Sequence, residues 1–248
     1  MPTGRLRRQP LKSSRWHAHG NIYLVHEGSA AGLDLSGTDG AVEVLSVDGD
    51  DVTIGIVNPD GSYAEMSGNG TRIAAAWLMS RTRSAEARVH VGPRTVVVRR
   101  TEDGLYESEL GQVEVGPPEL LDGIELIPVS VGNPHAVVTG DPSQIEELGP
   151  RLEAHPRFPE RTNVQVARVE RPGEVTARIW ERGVGETAAS GTSAVAVAAA
   201  THGDGEVLVH FPGGDLRVRL ADGQAWLTGP AEPLDELPDS GREVDTDA

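Results

Sequence analysis

Apolar and polar residues alternate along most of this chain in short runs with a period of two. Such runs cover Asn21–Val25, Ala41–Val47, Val52–Val57, Arg94–Arg99, Ile127–Val131, Ala136–Thr139, Val164–Val169, Glu174–Trp180, Glu206–His210 and Leu216–Leu220. Most are bounded by Gly, Pro, Asp or Asn, the residues that end pleated strands and open turns. The pattern predicts a strand-rich protein. Two segments break it. Gly70–Met79 (GTRIAAAWLM) and Thr192–Thr201 (TSAVAVAAAT) are Ala-rich and apolar on nearly every side. Ala favours helix, and a helix that is apolar all round is a buried one. Both are expected as central helices enclosed by strands. Asp141–Leu152 is expected as a third, exposed helix.

The two central segments resemble each other. Ser67-Gly68-Asn69-Gly70 precedes the first and Ser190-Gly191-Thr192-Ser193 the second. Each follows a Gly-containing turn, Asp60-Gly61-Ser62 in one case and Arg182-Gly183-Val184-Gly185 in the other. An acidic residue precedes each serine, Glu65 and Glu186. The repeat divides the chain into related halves, 15–117 and 118–222. A returning segment, 223–232, is expected to pack on the first half. Residues 1–14 and 233–248 read as solvated tails.

Composition narrows the chemistry. With 248 residues the chain can bury a sizeable core, and with only 4% aromatics that core must rest on Val, Ile, Leu and Ala. A formal net charge of −16 opposes a phosphate-tracking groove, so nucleic acid is not an expected partner. Lys12 is the sole lysine, which removes the Gly-Lys-Ser/Thr of a P-loop. The absence of cysteine excludes disulfides, thiolate metal sites and thiol catalysis. No apolar run approaches the roughly 20 residues of a membrane span, and MPTGRLRRQPLKSS has no apolar segment of a secretory signal. A cytoplasmic protein with no membrane partner is expected.

A small polar residue followed by Gly at a helix start has a specific use. The first helical N–H groups lack internal partners and carry the positive end of the helix dipole. Small residues let an anion approach the backbone. Two such turns, one per half, could face each other across a cleft and grip an amino acid. One alone is as readily a plain N-cap; the matched pair favours a ligand. Asn21, Asn58, Asn69, Asn133 and Asn163 lie at strand–turn boundaries, where each is also a turn former. His135 sits in Gly-Asn-Pro-His. Glu181-Arg182 follows Trp180, either as an ammonium and carboxylate clamp or as a surface ion pair of small value.

Together these residues resemble the diaminopimelate epimerase family. Asn58-Pro59-Asp60-Gly61-Ser62, with Ser67-Gly68-Asn69-Gly70-Thr71-Arg72 downstream, is similar to that family's Asn-x-Asp-Gly-Ser…Cys-Gly-Asn-Gly-x-Arg. Glu181-Arg182-Gly183-Val184-Gly185-Glu186-Thr187, with Ser190-Gly191-Thr192, is similar to its Glu-Arg-Gly-Val-Gly-Glu-Thr…Cys-Gly-Thr. Gly132-Asn133-Pro134-His135, Arg161-Thr162-Asn163-Val164, Leu227-Thr228-Gly229-Pro230 and His17–Asn21 agree in family order. The resemblance implies an α+β fold of two pseudo-symmetric halves, each a β-barrel-like sheet around a central helix. It implies a homodimer, no cofactor, no metal, and stereoinversion at one α-carbon of diaminopimelate. Substrate contacts carry over to Asn21, Asn58, Gly68, Asn69, Asn133, Asn163, Glu181, Arg182, Gly191 and Thr192. The catalytic positions become Ser67 and Ser190, with His135 and Glu181 beside the reacting centre.

Ser67 and Ser190 are the main departure, because the family carries cysteine at both positions. A thiol near pKa 8.5 falls further at a helix N-terminus and exchanges roles with its thiolate near neutral pH. A serine hydroxyl needs an adjacent base. Both replacements should cripple two-base epimerisation while leaving the cleft. Three explanations stay open: an engineered form of a working epimerase, a natural amino-acid-binding homologue without turnover, and different chemistry on the same fold, such as dehydration of a hydroxylated amino acid.

Overall fold

In the computed structural model, residues 13–64 and 66–234 are described. Two topologically equivalent halves account for almost all of them. In the first, Ser13–Ala18 pairs antiparallel with Asn21–Glu27, which runs parallel to Gly40–Asp48. That strand turns back into Asp51–Val57 with a register shift between Val44 and Ser46. Helix α1 (Gly68–Thr82) follows. Glu86–Val91 then joins Asp51–Val57 in parallel, and Arg94–Arg100 and Tyr106–Gln112 extend the sheet.

The second half repeats this order. Ile124–Ser130 pairs with Pro134–Thr139, which runs parallel to Asn163–Arg171. Glu174–Glu181 returns with a register shift between Val169 and Arg171. Gly205–Phe211 adds in parallel after the second central helix, then Gly214–Ala221 and Gln224–Gly229. The last strands of the two halves, Gln224–Gly229 and Tyr106–Gln112, pair with each other. The α+β architecture of two halves, each with a sheet around a helix, is therefore the one the chain adopts.

Each central helix is the core of its half. In α1, the side chains from Asn69 to Met79 are all buried, and they pack with Val42, Val52, Ile54, Val89 and Val98 from the surrounding strands. Burying apolar side chains at about 25 cal/mol per Å² stabilises this arrangement and leaves no solvent face to the helix. The chain leaves α1 through Arg83 in a left-handed conformation (φ 63°), whose N–H bonds the Met79 carbonyl. The second half is built alike, with Ala194–Ala198 packed among Val137, Val175, Ile179, Val209 and Leu216.

Three expectations change. The third helix, read as exposed over Asp141–Leu152, is a 3₁₀ turn (Pro142–Gln144) leading into α2 (Ile145–Glu153). Ile145, Leu148 and Leu152 bury one face of α2 against Leu126, Phe158 and Val164, because their spacing places them on one side of a helical turn. The tails are shorter than read. Ser13 and Ser14 pair with His26 and Val25, and Glu232 and Pro233 pair with His17 and Trp16. The remaining tail residues, 1–12 and 235–248, lie outside the described residues, as does Glu65. The central helices also begin earlier than expected, at Gly68 and Gly191. The second is therefore α3 (Gly191–Thr201). No described helix is long and apolar enough to cross a membrane.

Candidate active site

The starts of α1 and α3 meet at the junction of the halves. A Cβ placed on Gly68 would lie 3.7 Å from the Cα of Gly191, and one on Gly191 3.8 Å from the Cα of Gly68. A Cβ on Gly191 would also fall 2.6 Å from Leu227 Cδ2, so that position has no room for a side chain. Two helix dipoles, each equivalent to about half a positive charge at its N-terminus, thus converge on one point. Unpaired N–H groups there suit a carboxylate.

Ser67 and Ser190 occupy the N-cap positions in extended conformation, at φ −136° and −145°. Their hydrogen bonds differ. Ser67 Oγ accepts from Gly70 N at 3.0 Å and lies 3.0 Å from the hydroxyl of Tyr23. Ser190 makes no side-chain cap; its hydroxyl is one of the groups that draw the pKa of the Glu181 carboxyl down. Thr187 Oγ1 donates to the same carboxylate at 2.6 Å. Burial pushes the Glu181 carboxyl up, and these two donors oppose that shift. Burial also pushes the Tyr23 phenol up, and the negative charge of Glu181 adds to the effect. Tyr23, from the first half, and Glu181, from the second, therefore sense each other across the junction.

The asparagines fall into two groups. Asn69 Nδ2 donates to Asn21 Oδ1 at 2.6 Å, and Arg72 Nη2 donates to Asn69 Oδ1 at 2.6 Å. Arg72 is fully buried, and its Nε bonds the Pro230 carbonyl at 2.9 Å. Burial lowers its pKa to about 10. Its Nη1 has no partner. In the second half, Asn133 Nδ2 reaches Thr192 Oγ1 at 3.5 Å. Asn163 Oδ1 accepts from the Arg182 backbone N–H at 3.0 Å, and its Nδ2 donates to the Pro134 carbonyl at 2.9 Å. Asn58 stands apart, because its Nδ2 donates to Ser62 Oγ within its own turn.

His135 is enclosed between strands of the second half. It is 1% exposed, and burial lowers its pKa to about 3. Gln165 Nε2 donates to its Nδ1 at 3.0 Å, so the proton sits on Nε2 and is given to Asn133 Oδ1 at 3.0 Å. His135 is a neutral group that orients Asn133. Arg182 is exposed, and its guanidinium bonds the Glu160 carbonyl at 3.3 Å. Glu186, noted in sequence for its place before Ser190, pairs instead with Arg178 at 2.6 Å.

The sequence reading missed Tyr23, Arg72, Gln165, Thr187 and Glu153 as parts of the site. Arg72 and Thr187 lay inside the two motif blocks and could have been found there; nothing local marked the others. Glu153 is buried on α2. Its carboxylate accepts from Trp180 Nε1 at 2.8 Å and Gly183 N at 2.7 Å, with Arg161 Nη2 at 2.9 Å. It holds the turn that presents Glu181 and Arg182.

This geometry defines a two-half α+β protein whose two central helix starts abut, with Tyr23 beside the first and Glu181 near the second. Comparison with known proteins agrees. The family model for diaminopimelate epimerase matches residues 127–233. The diaminopimelate epimerase of Desulforudis audaxviator is 37% identical over 229 residues, covering 80% of this chain and 82% of that protein. That of Synechococcus elongatus is 37% identical over 268 residues, covering 89% and 95%. A solved phenazine biosynthesis protein of the PhzF family from Bacillus anthracis shares the fold with a TM-score of 0.68 at 12% identity, over 90% of this chain and 96% of that one. The chain belongs to the diaminopimelate epimerase family.

Proposed function

We propose that this protein inverts the α-carbon at one end of diaminopimelate, interconverting the LL and meso isomers without a cofactor, and that it does so slowly because serine stands at both proton-transfer positions. The observation that supports this reading best is the abutment of Gly68 and Gly191. One α-carboxylate can take N–H groups from both helices there. The α-carbon then lies between Ser67 and Ser190. The same N–H groups stabilise charge that develops when the α-proton leaves.

In this reading Asn21, Asn69, Asn133 and Asn163 border the substrate, and Glu181 and Arg182 meet its ammonium and carboxylate groups. Asn58 must leave Ser62 to join them. The place in metabolism is the supply of lysine and cell-wall precursors in the cytosol, and the active form is a homodimer. The cost of serine is large. A thiol ionises near 8.5, whereas a hydroxyl holds its proton far above that range and needs an adjacent base to act at neutral pH.

The test is proton NMR in deuterium oxide with LL-diaminopimelate, comparing the protein with its Ser67→Cys, Ser190→Cys form. The cysteine form should exchange the α-proton and make the meso isomer at least a hundredfold faster. Absence of exchange in the cysteine form would refute the substrate assignment.

A further inference from the structure

The internal repeat leaves one position unmatched. In the second half the chain crosses from Pro134–Thr139 to Asn163–Arg171 through α2, which packs on Ala136, Val138, Val164 and Val166. In the first half the same crossing, from Asn21–Glu27 to Gly40–Asp48, is the loop 28–39, which contains no helix. The ladder registers equate His26 with Val138, Ala41 with Val164 and Glu43 with Val166. The floor under the missing helix is therefore partly polar. Over it lies a groove of about 550 Å³, bordered by the loop and by the turn at Pro59–Gly61. Its lining holds Glu43, Asp34 and Asp60 and, among the described residues, no cationic side chain. Glu43 is buried, and its carboxylate accepts from Ala30 N at 2.6 Å and from the Tyr63 hydroxyl at 3.0 Å. Asp34 and Asp60 are exposed, as are Leu33 and Tyr63 beside them.

The charge that answers this groove lies in the same chain. Residues 1–12, MPTGRLRRQPLK, carry Arg5, Arg7, Arg8 and Lys12 and no acidic residue, in a protein of net charge −16. They lead into the sheet at Ser13, which is opposite His26, itself opposite Glu43. Directly opposed residues share a face, and on that face Ser13 Oγ lies 2.7 Å from His26 Nδ1. At about 4.8 Å per strand, the segment joins the sheet about 10 Å from Glu43. A segment of this length reaches about 40 Å when extended. So short a tether gives an effective concentration in the millimolar range, enough for contacts too weak to hold a separate partner.

We propose that the basic segment 1–12 docks in this groove and takes, on the first half, the place that α2 holds on the second. Arg5, Arg7 and Arg8 answer Asp34 and Asp60, while Leu6 and Leu11 cover Leu33 and the Tyr63 ring. Because Pro59, Asp60 and Gly61 line the groove, docking braces the turn that carries Asn58. In the second half Glu153 of α2 braces Gly183 in the same way.

The experiment is paramagnetic broadening in the full chain. The protein has no cysteine, so Thr3→Cys supplies a single thiol for a nitroxide, and nitrogen-15 amide spectra report where it lies. At low ionic strength the amides of 31–37 and 60–63 should lose at least twofold more intensity than those of α2. Asp34→Asn with Asp60→Asn keeps the Oδ1 that caps each local turn and removes both charges. It should restore at least half of the lost intensity. Absence of selective broadening at the groove would overturn the proposal. So would broadening that the asparagine variant leaves unchanged, since the pairing would then not be electrostatic. Equal broadening in a mixture of unlabelled nitrogen-15 protein with nitroxide-bearing nitrogen-14 protein would place the segment of a second copy there, and would also overturn it.

Discussion

The neutral, buried His135 ties stability to pH in a way that can be measured against a single substitution. In the unfolded chain this imidazole titrates near 6.5, whereas in the fold its pKa is lowered to about 3, by burial first and the nearby Arg182 charge last. Below pH 6.5 the unfolded chain binds a proton that the folded protein refuses. The contribution is fully present above pH 6.5 and is lost as pH falls toward 3. Between pH 7 and pH 4 the loss spans about 2.5 pKa units, or about 3 kcal/mol at 1.36 kcal/mol per unit. The 38 acidic residues also respond to acid, so the comparison must cancel them. His135→Gln does this, because glutamine can still donate to Asn133 and carries no titrating group. Urea unfolding at pH 7 and pH 4 should show the native sequence losing about 3 kcal/mol more than the variant. Equal losses, within about 0.5 kcal/mol, would refute the reasoning. So would an NMR titration of His135 with a midpoint near 6.5.

Two further changes probe the supports of the site. Arg72→Met removes the bonds to Pro230 and Asn69 from a fully buried position and leaves both acceptors unpaired. A loss of about 3 kcal/mol is expected, seen as a Tm lower by about 6–12 °C in calorimetry, with weaker substrate binding as Asn69 releases Asn21. An unchanged Tm would contradict this account. Glu153→Ala strips the turn at Gly183 of its buried acceptor and should cost about 2–4 kcal/mol. Hydrogen exchange at Gly183 should rise with it; protection equal to that of the native protein would show that the carboxylate does not hold the turn.

How far the residue pattern reaches can be read element by element. The ten alternating runs all became strands, because period-two alternation directly encodes one buried and one exposed face. The Ala-rich segments became central helices because residues apolar on every side can only be enclosed. Ser13–Ala18, Glu86–Val91 and Tyr106–Gln112 escaped notice. Their polar residues, such as the glutamates of YESELGQ, mask alternation that only neighbouring strands make visible. For α2, the sequence held the apolar spacing, but not the surface that Ile145 and Leu152 cover.

The sequence by itself determined the family, the repeat and the two Ser-Gly turns, since motif order and helix-start chemistry are local properties of consecutive residues. The tertiary structure alone decided what those turns touch. The meeting of Gly68 with Gly191 depends on how two sheets close around two helices. So does the placing of Tyr23 beside Ser67. The burial that makes His135 a neutral support for Asn133 is likewise a property of strands far apart in the chain. Hydrogen bonds and desolvation act over a few ångströms in space, and linear distance along the chain says nothing about which residues come within that range.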